Sequence, residues 1–206
     1  PSGLLQAPHM ILAAFAATGF AVAGIHAFLL LRQPGNLFHK AALNIAFAVG
    51  ALSALLQPVS GDFLAKRVAE FQPVKLAVFE AQVETQQGAP FRIGGVWNSE
   101  KEAFDSIIEI PYALSVMLHL DPNASVIGFK EFAKENWPPI GVTRTAFQLM
   151  VFIGMIMLVL ALWGGWLAFK TRNLCCSRRF LQALVLATPL GFIATEAGWV
   201  ATEVGR

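Results

Sequence analysis

Residues 145–169 read TAFQLMVFIGMIMLVLALWGGWLAF, 25 consecutive positions without a charge. At about 1.5 Å of rise per helical residue, this stretch is long enough to cross the roughly 30 Å apolar core of a bilayer. Three other stretches, residues 7–31, 41–59 and 180–201, are long enough or nearly so. They read as helices because backbone groups in lipid must be satisfied within their own segment. The composition agrees. Of 206 residues, 56% are hydrophobic and 14% charged, whereas soluble domains carry about 25% charge. Such a chain cannot cover a water-facing surface, which excludes a soluble enzyme and a disordered chain. A net charge of +2 gives no footprint for nucleic acid.

Charge orients the spans. The connection between the first and second carries Arg32 and Lys40, and that between the third and fourth carries Lys170, Arg172, Arg178 and Arg179, with no acid in either. Short loops rich in Lys and Arg stay cytoplasmic. The stretch 60–137 carries eleven acids against seven bases and is therefore placed on the outer side. The expected fold is all-α integral membrane, with four transmembrane helices and a long outer loop between spans two and three. Three segments follow: 1–59, two spans with a cytoplasmic connection; 60–137, an extracytoplasmic loop; 138–206, two spans with a cytoplasmic connection. Within the loop, residues 63–84 are expected to form an amphipathic helix along the membrane surface, with Leu76, Phe79 and Val83 on one face. Residues 86–101, with Gly88, Pro90, Gly94 and Gly95, read as irregular loop. Pro189 predicts a kink in the fourth span. Adjacent Cys175 and Cys176 read as free thiols. A first residue other than Met and a stop at Arg206, directly after an apolar helix, lead us to expect an internal piece of a larger membrane protein.

Polar groups within spans are candidates for chemistry. His9 opens the first span, and Met150 lies a turn or two into the third. Imidazole and thioether together are an axial pair for low-spin haem; an interfacial histidine and a packing methionine are the alternative. His26 does not share a helix face with His9, and His39 and His119 lie in loops. Glu196 and Glu203 put carboxylates in or at the end of the fourth span, which is costly without a partner. Glu203 could ligate a haem iron, carry protons, or pair with Arg206 three residues on. Lys75 and Glu80, five apart, could hydrogen-bond a quinol and take its protons, or form a solvated polar face.

Taken in order, these segments resemble subunit I of the cytochrome bd quinol oxidases. The resemblance is carried by Pro8-His9-Met10, by Gly61-Asp62 followed by Gln72-Pro-Val-Lys75-Leu-Ala-Val-Phe-Glu80, by Ile110-Pro-Tyr-Ala-Leu-Ser, by Val126-Ile-Gly-Phe-Lys-Glu-Phe, by Phe147-Gln-Leu-Met150-Val and by Gly198-Trp199-Val-Ala-Thr-Glu203-Val-Gly205-Arg206. It implies that His9 and Met150 are the axial ligands of a low-spin haem b. It implies that Lys75 and Glu80 line the quinol site, and that Glu203 ligates a high-spin haem b with Trp199 and Arg206 beside it. The family passes electrons from quinol through both haems b to haem d, where oxygen becomes water, and builds a proton-motive force without pumping. Partners implied are membrane lipid, quinol, oxidase subunit II and the N-terminal helices of subunit I that carry the haem d histidine; nucleic acid is not among them. The location implied is the plasma (inner) membrane of a prokaryote. One departure is Gln148, where the family usually has Arg; the loss of that cation is expected to lower the haem potential or alter propionate contacts. Without the N-terminal helices, this stretch by itself is expected to be inactive as an oxidase. Two rival readings stand beside this one: a haem-binding anchor of a respiratory dehydrogenase, disfavoured by the missing histidine pairs, and a non-redox transporter segment, which Glu196 would suit.

Overall fold

The computed structural model describes residues 3–204 of the chain, with side chains described from residue 6. Among the described residues, four stretches are long and apolar enough to cross a membrane: Gln6–Arg32, Leu37–Phe71, Lys134–Thr171 and Arg178–Val204. They correspond to helices α1 (Gly3–Arg32), α2 (Leu37–Phe71), α5 (Ile140–Thr171) and the pair α6 (Arg178–Ala187) and α7 (Leu190–Val204). At the kink expected at Pro189, α6 gives way to α7 across Thr188 and Pro189. Between α2 and α5 lie α3 (Pro73–Phe79), β1 (Gln86–Gln87), β2 (Phe91–Asn98), β3 (Ala103–Ile110), α4 (Ala113–His119) and β4 (Ser125–Val126).

The chain divides into two compact units. One holds the residues up to Gly61 together with Met150–Glu196; the other holds Asp62–Leu149 and the residues from Ala197 on. In the first unit, small residues let helix backbones approach. A Cβ on Gly19 would lie 2.6 Å from Gly50 Cα, and one on Gly24 would lie 2.6 Å from the Leu184 carbonyl oxygen. This is the way helices pack where lipid supplies no hydrophobic drive between them. Phe20, Phe47, Phe180 and Trp163 continue the contact edge to face, with centroids 5.3–5.8 Å apart. The opposite faces show Phe15, Leu52, Phe152, Val159 and Leu162 outward, the apolar exterior that a lipid-facing helix carries.

The second unit departs from the helix-and-loop expectation. Helix α2 runs on to Phe71, where Asp62–Lys66 and Arg67–Glu70 pairs at 2.7 and 2.8 Å stitch its polar last turns. The chain then breaks at Gln72 and restarts with Pro73 in the first turn of α3, where a missing N–H costs nothing. No helix continues to residue 84. The stretch read as irregular loop instead forms an antiparallel hairpin, β2 against β3, with Phe91 opposite Ile110 and Asn98 opposite Ala103. Gly94 and Gly95, at φ +76° and +96°, interrupt the alternation that would otherwise have marked the strand. Strands β1 and β4 form a second, two-residue ladder.

Candidate functional site

Helix α3 ends in a tight left-handed turn. Gln82 N–H donates to Ala77 O at 2.7 Å and Ala81 N–H to Val78 O at 3.2 Å. Ala81 sits at φ +54°. This is a Schellman closure with alanine where glycine is usual. It turns the C-cap residue, Glu80, inward: Glu80 is 2% exposed, and its Oε2 has no hydrogen-bond partner among the described residues. Burial pushes the Glu80 carboxyl up to about 7, while the positive charge of Arg144 pulls against that rise. A carboxyl so placed exchanges a proton near neutrality.

Two buried cations, Lys75 and Arg144, lie on or against α3. Lys75 is 7% exposed; its Nζ donates to Thr202 O at 2.8 Å and lies 5.6 Å from the centre of the Phe79 ring. Phe79 in turn stacks on Phe147 at 4.4 Å. The solvated polar face that Lys75 and Glu80 could have formed is therefore not what the fold builds. Arg144, which the sequence reading passed over, is 1% exposed. It donates to three backbone carbonyls: Phe79, Arg92 at 2.6 Å and Gly94 at 2.9 Å. The guanidinium thus ties the residue before Glu80 to strand β2 and to the first turns of α5. Its signal was available. Arg144 is the one charge between Glu135 and Lys170, and an isolated charge at the start of a span is a site candidate by default. Gln148, one turn further along α5, accepts from Gly94 N–H at 3.0 Å. The departure from Arg at 148 therefore leaves a buried cation one turn away that meets the same glycine.

In the other unit, one turn of α2 lies against the half-buried His9. Ser60 Oγ lies 2.8 Å from His9 Nδ1, Gln57 Nε2 lies 3.1 Å from His9 Nε2, and Gly61 borders the Cε1 edge at 3.6 Å from a would-be Cβ. Met150 is half-buried on α5 and belongs to the same unit. Trp199 and Glu203, on α7, are exposed; Arg206 lies outside the described residues. Glu196 is also exposed. Cys175 and Cys176 are free thiols, as expected.

The family profile described as cytochrome bd terminal oxidase subunit I matches residues 1–206. The chain belongs to that family. It is 32% identical over 216 residues to the cytochrome bd ubiquinol oxidase subunit 1 of Bacillus subtilis, covering all of this chain and 46% of that protein. It is 26% identical over 151 residues to the cytochrome bd-II ubiquinol oxidase subunit 1 of Escherichia coli, covering 73% of this chain and 29% of that one. Among solved structures, the bd oxidase of Geobacillus thermodenitrificans superposes with a TM-score of 0.88 at 32% identity, over 98% of this chain and 46% of its own. The chain thus spans less than half the length of these relatives. Four helices long and apolar enough to cross a membrane agree with a multi-pass membrane protein of this family.

The residues around His9 fit one haem ligand. Ser60 gives its hydroxyl hydrogen to Gln57 O at 2.9 Å. Its oxygen therefore accepts from His9 Nδ1–H, which leaves a lone pair on Nε2, the nitrogen a metal needs. Among the described residues, the buried Oε1 of Gln57 has no hydrogen-bond partner.

Proposed function

We propose that this chain supplies the quinol-oxidising site and the low-spin haem b of a cytochrome bd-type quinol:oxygen oxidoreductase. The observation that carries the reading is the wholly buried Glu80 carboxyl, titrating near neutrality on the helix that also buries Lys75. Structural carboxylates are normally kept ionised by full pairing; one with an unpartnered oxygen suits proton exchange.

Lys75 hydrogen-bonds a quinol oxygen and favours its ionised form. The Glu80 carboxylate accepts a proton from the quinol hydroxyl and releases it to water on the outer side. Arg144 keeps Glu80 ionised at a useful fraction near pH 7 despite its burial. The stacked Phe79 and Phe147 give the helix end a rigid aromatic flank. His9 and Met150 hold the low-spin haem b, which supplies one-electron acceptance when bound. Glu203 would ligate the high-spin haem b, and Trp199, Gln148 and Arg206 would belong to the surroundings of the haems. Haem d, oxygen reduction to water and subunit II complete the complex outside this chain, in a prokaryotic plasma membrane with the quinol loop on the outer face.

The test uses the intact oxidase. Glu80→Ala is expected to abolish quinol oxidase turnover with haem spectra unchanged; undiminished turnover removes Glu80 from the site. Met150→Leu is expected to remove the low-spin haem b signal from the reduced-minus-oxidised spectrum; an unchanged spectrum places that ligand elsewhere.

A further inference from the structure

The ring of His9 has two nitrogens, and a neutral imidazole carries its proton on one of them. Four hydrogen bonds fix which. Ser60 Oγ–H donates to the Gln57 backbone carbonyl at 2.9 Å, so the oxygen 2.8 Å from Nδ1 is an acceptor there. The Gln57 amide nitrogen donates to His9 O at 3.3 Å and reaches His9 Nε2 at 3.1 Å. Turning the amide over would set its oxygen against the His9 carbonyl and strand the amide N–H groups. Nε2 is therefore an acceptor, and Nδ1 carries the proton. Gln57, Ser60 and Gly61 occupy one face of α2 at i, i+3 and i+4, so a single helical turn presents both partners of the ring.

We propose that Ser60 is a positioning residue for the haem-ligating histidine: by accepting Nδ1–H it fixes the His9 ring so that Nε2 faces the iron, and it strengthens the imidazole as a donor. The inference rests on the reading of His9 as a haem ligand. Ligation replaces the hydrogen bond from the Gln57 amide, which must swing aside, while the Ser60 bond is kept. A hydrogen-bond acceptor behind a ligating histidine raises its basicity. Stronger donation stabilises ferric over ferrous iron, so the Ser60 contact lowers the potential of the low-spin haem.

The test is redox potentiometry and haem quantitation on the intact oxidase carrying Ser60→Ala, Ser60→Thr or His9→Ala. Ser60→Ala is expected to raise the midpoint potential of the low-spin haem and weaken its retention by about 10- to 100-fold, the usual effect of losing such a partner. Ser60→Thr, which keeps the hydroxyl, is expected to restore both. A Ser60→Ala oxidase with wild-type potential and haem content overturns the proposal, as does a Ser60→Thr oxidase shifted like Ser60→Ala. If Ser60→Ala does not assemble, Ser60→Cys, with its weak sulfur acceptor, must show an upward shift; no shift overturns the proposal. His9→Ala separates the two readings. Loss of the low-spin haem with Ser60→Ala unchanged leaves the ligand standing and removes the role of Ser60. A His9→Ala oxidase that keeps the low-spin haem removes the ligand itself, and the proposal with it.

Discussion

Replacing Glu80 by Gln keeps its shape and removes its titration. The folded chain holds the Glu80 carboxyl at about 7 against an ordinary value of 4.5. At about 1.4 kcal/mol per pH unit, the gap corresponds to roughly 3 kcal/mol. Below pH 4.5 the carboxyl is neutral both folded and unfolded, and burial carries no ionisation penalty. Between 4.5 and about 7 the unfolded chain releases the proton and the folded chain keeps it, so stability falls as pH rises. Above about 7 both are ionised and the loss is complete. Glu80→Gln has no such dependence. The variant is therefore expected to match the wild type near pH 4.5 and to exceed it by about 3 kcal/mol near pH 8, less the worth of any hydrogen bond the carboxylate makes. Thermal unfolding of the intact oxidase across this range reads the stability difference. Infrared difference spectroscopy reads the protonated carboxyl directly, as a band that fades through pH 7 and is missing in the variant. A stability difference flat with pH, or a carboxyl that titrates between 4 and 5, refutes the reasoning.

Arg144→Gln removes the charge that opposes the rise at Glu80, so the infrared titration should move above 7. It should also cost on the order of 3 kcal/mol or more, read by thermal unfolding, as carbonyls of Phe79, Arg92 and Gly94 lose charge-assisted donors. Ala81→Gly should stabilise the protein by about 1 kcal/mol, because φ +54° penalises a Cβ; a lower unfolding temperature would argue against the left-handed turn that buries Glu80. Gly19→Ala places a Cβ 2.6 Å from Gly50 Cα, where backbone cannot give way, and should lose about 1–3 kcal/mol in the same assay.

The four spans were legible because a 25-residue uncharged stretch such as 145–169 has few other uses. The end of the second was not. Hydropathy stops at Val59, but α2 continues to Phe71, its polar turns held by the Asp62–Lys66 and Arg67–Glu70 pairs that a hydropathy pattern does not weigh. The β2–β3 hairpin was hidden by Gly94 and Gly95, which signal a loop when read locally and are tolerated in a strand whose partner lies up to 19 residues away. Lys75 and Glu80 stand out through their motif, but their burial is not foreseeable, since it depends on the turn at Ala81 and on Thr202, 127 residues from Lys75. Arg144 directly precedes the uncharged stretch 145–169, so a span bounded by hydropathy leaves it out. The setting of His9 could not be read at all: Gln57 and Ser60 lie some 50 residues away and meet it through helix packing alone.

The central claim is that quinol gives its electrons through the Glu80 site to the haem that His9 and Met150 hold. Anaerobic reduction of the low-spin haem by added quinol, followed optically in the intact oxidase as wild type and as Glu80→Gln, tests it most directly. The account predicts that dithionite produces the same reduced spectrum in both, while quinol reduces the haem rapidly in the wild type and not in the variant. Equal rates of reduction by quinol would contradict it.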